Sequence, residues 1–147
     1  MIETIRAILK NKGSAVWAVT AEASVYDALR MLAEKDVGAL PVVSLGRLVG
    51  MISERDYARK VILMGKSSKE TLVSEIMTSP VITVSPDHSI EECMRLVTHH
   101  RIRHLPVMDG VDLVGMVSIG DLVNAIISNQ AATIGDLHNY ISGKYPA

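Results

Sequence analysis

The chain has 147 residues, with 15 Lys and Arg against 16 Asp and Glu, and a formal net charge of −1. No global positive field draws it to nucleic acid or to an anionic membrane, and with no Phe, one Trp and four Tyr it lacks a stacking platform for single strands. A 48% hydrophobic content is ample for one compact module, and the lone Cys93 can form no internal disulfide, which fits a reducing cytoplasm.

Residues 3–11 form a short helix with Ile2, Ile5, Ile8 and Leu9 on one face, stopped by Gly13. Val16 to Val19 is a strand. Ser24 caps a helix in which Val25, Ala28, Leu29 and Leu32 recur at helical spacing. Leu40 to Val43 and Leu48 to Ile52 are strands, nearly continuously apolar, as strands covered on both faces are. A helix follows from Ser53 to Met64, and Lys66-Ser67-Ser68-Lys69 is a polar linker. Thr71 to Met77 is a short helix. Val81 to Val84 is a strand, and Ser89 caps another helix with Cys93 and Val97 inward. Strands at 104–108 and 112–117 flank the turn Asp109-Gly110. Two helices close the chain, at 118–128 and 133–142. No run of about 18 uncharged apolar residues is available to span a membrane. Glu3 and the short apolar core beside it argue against a signal peptide.

The second half repeats the first. Pro41 recurs as Pro106, Gly50 as Gly115, Ser53 as Ser118 and Asp56 as Asp121, at a constant spacing of 65 residues with no gap from Ser24 to Asp121. The chain therefore divides by sequence into 1–65 and 66–147, two α/β repeats that fold as one compact module.

The chemistry-bearing signal is Ser-x-x-Asp at a strand-to-helix junction, Ser53 to Asp56 and Ser118 to Asp121. It has two readings. As a capping box it is worth about 1 kcal/mol for the cap. As a ligand site, the free N–H groups of the first turn and the Ser hydroxyl receive phosphate, while the Asp turns outward to accept ribose hydroxyls. Gly50 and Gly115 would then let a ligand approach the strand backbone. Adjacent His99 and His100 do not make a metal pair, and no zinc-type ligand set is present. No Walker loop, dinucleotide fingerprint or nucleophile elbow occurs, so the chain is read as a non-enzyme.

Gly-Ala-Leu-Pro-Val-Val (38–43), Leu-Val-Gly-Met-Ile-Ser-Glu-Arg-Asp (48–56), Arg-His-Leu-Pro-Val (103–107) and Leu-Val-Gly-Met-Val-Ser-Ile-Gly-Asp (113–121) resemble the CBS domain, and the duplication resembles a tandem CBS pair, or Bateman module. The resemblance implies two pseudo-twofold-related repeats, each a small three-stranded sheet with two helices. It implies adenine nucleotide binding (AMP, ADP, ATP or NAD(H)) in two clefts between the repeats. Carried over by position, the first site takes Thr20, Val37, Gly38, Ala39, Ser53, Arg55 and Asp56. The second takes Thr83, Ile102, Arg103, His104, Ser118 and Asp121. Arg55 and Arg103 are the favoured anion partners among the flanking basic residues. The chain resembles the single-pair CBS proteins of bacteria and, more distantly, those of plants. That implies a homodimer, regulating an enzyme or a thioredoxin-like partner in the cytoplasm. Alternatives are an S-adenosylmethionine-binding regulator and a dimerisation scaffold with vestigial sites.

Overall fold

The computed structural model describes residues 1–141, with side chains at all of these except 136 and 139–141. Its helices are α1 (Ile5–Lys12), α2 (Val25–Lys35), α3 (Glu54–Tyr57), α4 (Val73–Ile76), α5 (Ile90–His100) and α6 (Ile119–Ile141). Its strands are β1 (Val19–Thr20), β2 (Ala39–Ser44), β3 (Arg47–Ser53), β4 (His104–Asp109) and β5 (Asp112–Ser118). One sheet has the order β1-β2-β3; the other pairs β4 with β5. β1 runs parallel to β2, with Val19 opposite Val42, and β2 runs antiparallel to β3, with Ala39 opposite Ser53. Leu45 and Gly46 turn that hairpin at φ of 51° and 76°, the left-handed pair of a two-residue hairpin turn.

The expected first strand of the second repeat is reduced to one parallel bridge, Val84 to Val107. That bridge is the counterpart, 65 residues on, of the Val19–Val42 pair. Two helices also differ from expectation. The helix foreseen over 53–64 is α3 followed by a π-helical turn, Ala58–Ile62. The two helices foreseen at 118–128 and 133–142 are one helix, α6, up to Ile141; Ser142 lies outside the described residues. The intervening Asn129-Gln130-Ala131-Ala132 contains no breaker, and Ala is the strongest helix former.

Contacts divide the chain into two compact units, one of 1–14, 84–109 and 115–147, the other of 15–83 and 110–114. This differs from a boundary drawn in chain order after residue 65. Within the second unit, Val25, Leu40, Val42, Ile52, Val61 and Val73 are at most 1% exposed. Within the first, Ile5, Cys93, Leu105, Val107 and Leu122 are fully buried. Each such aliphatic side chain contributes roughly 1.5–3 kcal/mol of burial.

Each unit contains a lead segment, a short helical stretch that precedes one of the repeats in the chain, and the two lead segments are equivalent at a spacing of 68, not 65. Ile5 N donates to His88 O (3.0 Å) as Val73 N does to Ala23 O (2.8 Å). Arg6 N donates to Pro86 O as Ser74 N does to Ala21 O, and Glu3 O accepts from Ile90 N as Thr71 O does from Val25 N. Helix α1 is thus the counterpart of α4. It packs with the second repeat, whereas α4 packs with the first.

Candidate functional site

Strand β3 ends at Ser53 in an extended conformation (φ −129°, ψ 165°), which aims its side chain at the open N–H groups of α3. Ser53 Oγ accepts from Asp56 N (3.2 Å). Asp56 Oδ2 accepts in return from Ser53 N (3.0 Å) and Ser53 Oγ (3.1 Å). Its Oδ1 accepts from Thr78 Oγ1 (3.2 Å) and faces Lys60 Nζ at 3.2 Å, which also donates to Ile76 O. Asp56 is buried, and four donors match the roughly four lone-pair sites of its carboxylate.

The second copy repeats the cap with different company. Ser118 N donates to Asp121 Oδ2 (2.8 Å) and Asp121 N to Ser118 Oγ (3.1 Å). Lys12 Nζ, at the end of α1, donates to the same Oδ2 (2.7 Å) and to Met116 O (3.1 Å). Burial pushes the Asp121 carboxyl up, but the Lys12 hydrogen bond, the Ser118 N–H, the Lys12 charge and the Ser118 hydroxyl together outweigh it and hold it below the usual carboxylate value. Both carboxylates therefore turn back onto their caps; neither turns outward.

Two backbone bonds tie the preceding loops to these caps. Glu54 N donates to Gly38 O (3.2 Å) and Ile119 N to Arg103 O (2.8 Å), again 65 residues apart.

The CBS domain family model matches residues 13–62 and 73–128. The chain belongs to the CBS-domain family. Its two matched segments form a tandem CBS pair. It is 42% identical to the CBS domain-containing protein CBSX3, mitochondrial, of Arabidopsis thaliana, over 97% of this chain and 73% of that one. A solved CBS-domain protein from Burkholderia ambifaria is 52% identical, with a TM-score of 0.83, covering 86% of this chain and 96% of that one. The CBS domain pair of protein MJ0100, solved in complex with 5′-methylthioadenosine and S-adenosyl-L-methionine, is 26% identical with a TM-score of 0.78, covering 88% of this chain and 99% of that one.

In the first CBS repeat, Ala39 pairs with Ser53 across β2 and β3, so Gly38, Ala39, Ser53 and Asp56 are brought together. Val37 and Gly38 are half-buried, while Thr20, at the end of β1, and Arg55 are exposed. In the second CBS repeat, Arg103 is joined to the start of α6 through its carbonyl. Ile102 and His104 beside it are half-buried and Arg103 is exposed. Thr83 is exposed and falls in the unit of 15–83, not in the unit that holds Ser118 and Asp121.

The two strand glycines of the CBS repeats serve a different purpose from the one expected. A Cβ on Gly50 would lie 2.5 Å from Met77 Sδ, and one on Gly115 would lie 2.7 Å from Leu9 Cδ2. The space beside each strand is filled by a side chain of the lead segment rather than kept for a ligand.

Lys12 has no counterpart in the repeat and carries no local signal. Lys60 does: it stands four residues after Asp56, at ion-pairing distance on a helix. Among the described residues, no group of three or more His, Cys, Asp or Glu could hold a metal ion, and no helix is long and apolar enough to cross a membrane. Two surface depressions, one along α5 beside His88 and Arg95 and one between Ile2 and Asn129, are lined by none of the residues assigned to the nucleotide sites.

Proposed function

We propose that this CBS pair is a non-enzymatic regulatory module that binds adenine nucleotides, with Asp121 the readier ribose acceptor and Asp56 the more occluded one. One observation carries the order of the two sites. Asp56 has donors on both carboxylate oxygens, whereas both N–H donors to Asp121 fall on Oδ2. A vicinal diol needs both oxygens of a carboxylate, so Asp121 needs less rearrangement. The adenosyl ligands of the MJ0100 domain pair support an adenosine-containing ligand in a fold of this kind. AMP, ADP, ATP and NAD(H) are the candidates. Ser118 and Arg103 flank Asp121, and Ser53, Gly38 and Ala39 flank Asp56, as the resemblance assigns them. Thr20, Val37, Arg55, Thr83, Ile102 and His104 complete the assignment.

The module acts through its own assembly or a regulated partner, of which a thioredoxin-like protein is one. A homodimer is supported by exposed apolar side chains: Ile62, Leu63 and Met64 at the end of the π-helical turn and just after it in one unit, Val123 and Ile127 on α6 in the other. A cytoplasmic setting is part of this reading, with the buried free Cys93 in its favour.

Calorimetric titration of wild type, Asp56→Ala and Asp121→Ala with AMP, ATP and NADH is the test. Charge-assisted bonds to hydroxyls are worth roughly 1.5–3 kcal/mol each, so each variant should lose at least about tenfold at its own site. For Asp56 a second reading has a specific observation behind it, the four donors already in place. Binding unchanged in Asp56→Ala, with only a lower melting temperature, would make that motif a cap alone. Unchanged binding in both variants would refute the reading.

A further inference from the structure

We propose that Lys12 is the specificity-determining residue of the Asp121 site, selecting a phosphate-bearing nucleotide over neutral or cationic adenosyl ligands. The proposal rests on the functional reading above and deepens it. Oδ2 of Asp121 accepts from Ser118 N at 2.8 Å and from Lys12 Nζ at 2.7 Å. A carboxylate oxygen offers about two lone-pair sites, so that oxygen is saturated. A ribose diol gripping both oxygens must therefore remove one donor. Ser118 N is part of the backbone at the end of β5 and cannot leave without breaking the cap. Lys12 reaches Asp121 on a flexible stem that is 40% exposed. Lys12 is the donor that yields.

What becomes of the displaced ammonium decides the selectivity. Lys12 Nζ also holds Met116 O at 3.1 Å, so it bridges the residues on either side of Ser118. Ile5, Ile8 and Leu9 are buried, and Leu9 plugs the notch at Gly115. They keep α1 docked while the Lys12 side chain swings, so the charge stays beside Ser118. A ligand phosphate received there replaces the carboxylate as its counter-ion, and an ammonium is a compact point charge suited to that role. Adenosine and 5′-methylthioadenosine offer no such counter-ion. The sulfonium of S-adenosylmethionine adds a second positive charge next to the first. The first repeat lacks this arrangement: Lys60 sits on the same helical segment as Asp56, and its second bond goes to Ile76 O.

The experiment is titration of the full chain with AMP, adenosine and S-adenosylmethionine, in wild type, Lys12→Met, Lys12→Arg and Asp121→Ala. Lys12→Met keeps the stem and drops the charge. Adenosine should bind it about threefold more tightly or better, because a competitor for Asp121 has gone. AMP should bind it more weakly, so the AMP-over-adenosine preference falls by about tenfold. Lys12→Arg should keep that preference within about threefold of wild type. A merely structural Lys12 would lower the melting temperature and leave the ratio alone. An unchanged ratio in Lys12→Met, with binding still weakened at least about tenfold at this site by Asp121→Ala, overturns the proposal while the functional reading stands. If Asp121→Ala leaves AMP and adenosine binding unchanged, the Asp121 site of the functional reading has failed and this proposal with it.

Discussion

Met77 lays its side chain so tightly on the backbone of Gly50 that a Cβ there would meet Sδ at 2.5 Å, Cγ at 2.9 Å and Cβ at 3.2 Å. The obstacle is the whole stem of Met77, not its far end, so a small rotation does not relieve it. Gly50→Ala should therefore destabilise the protein by about 1–3 kcal/mol, the usual range for overpacking. Met77→Ala in the same chain should return part of that loss, although Met77→Ala alone is destabilising. Chemical denaturation of the two single variants and the double variant measures the coupling. Additive effects would mean that the two residues are not in this contact.

Asp121 makes stability depend on acid. Its folded carboxyl lies below the ordinary value, with burial opposing and the Lys12 bond prevailing among the lowering causes. A group whose folded pKa is depressed contributes fully above its unfolded pKa, about 3.9, and loses that contribution as pH falls through the folded value. Thermal melts from pH 7 to pH 2 should show Asp121→Asn melting below wild type at pH 7. The gap should narrow below about pH 4. A gap that stays constant with pH would contradict the ion pair.

Cys93 should be inert in the folded protein. It is fully buried, and burial, with the Glu92 charge adding to it, pushes the thiol up to about 11. The thiolate is the reactive form, so it is scarce at neutral pH as well as enclosed. A chromogenic disulfide reagent at pH 7.5 should label one thiol quickly in guanidinium and only slowly in native buffer. Cys93→Ser should cost about 1–3 kcal/mol by burying a hydroxyl without a partner, whereas Cys93→Ala leaves only a small cavity.

The exposed run Ile62, Leu63 and Met64 is the feature most exposed to a test of assembly, at 56%, 77% and 66% accessible. Light scattering at tens of micromolar should give twice the mass of one chain. Leu63→Glu should shift the protein toward monomer with little change in its circular dichroism, because the side chain contributes almost nothing to the core of its own unit. Wild type that is monomeric throughout would count against the homodimer.

What the sequence by itself determined here is local. The 65-residue repeat is written in the residues themselves, and the Ser24, Ser53, Ser89 and Ser118 caps, closed by neighbours a few positions away, form where the pattern places them, as do β2, β3, β4 and β5. The Lys60–Asp56 pair belongs with them, since four residues on a helix suffice. Tertiary structure decided the rest. The lead segments keep a spacing of 68, three residues out of step with the repeat, so the equivalence of α1 and α4 is visible only in their matching hydrogen bonds. Lys12 and Asp121 stand 109 residues apart, and nothing in the local pattern of either anticipates the other. The two Ser-x-x-Asp motifs read alike in sequence, yet their carboxylates differ in what surrounds them, Thr78 and Lys60 in one case and Lys12 in the other. The physical reason is that a cap is closed by the backbone of its own first turn, whereas a carboxylate's remaining lone pairs are filled by whatever the folded chain brings within 3 Å or so.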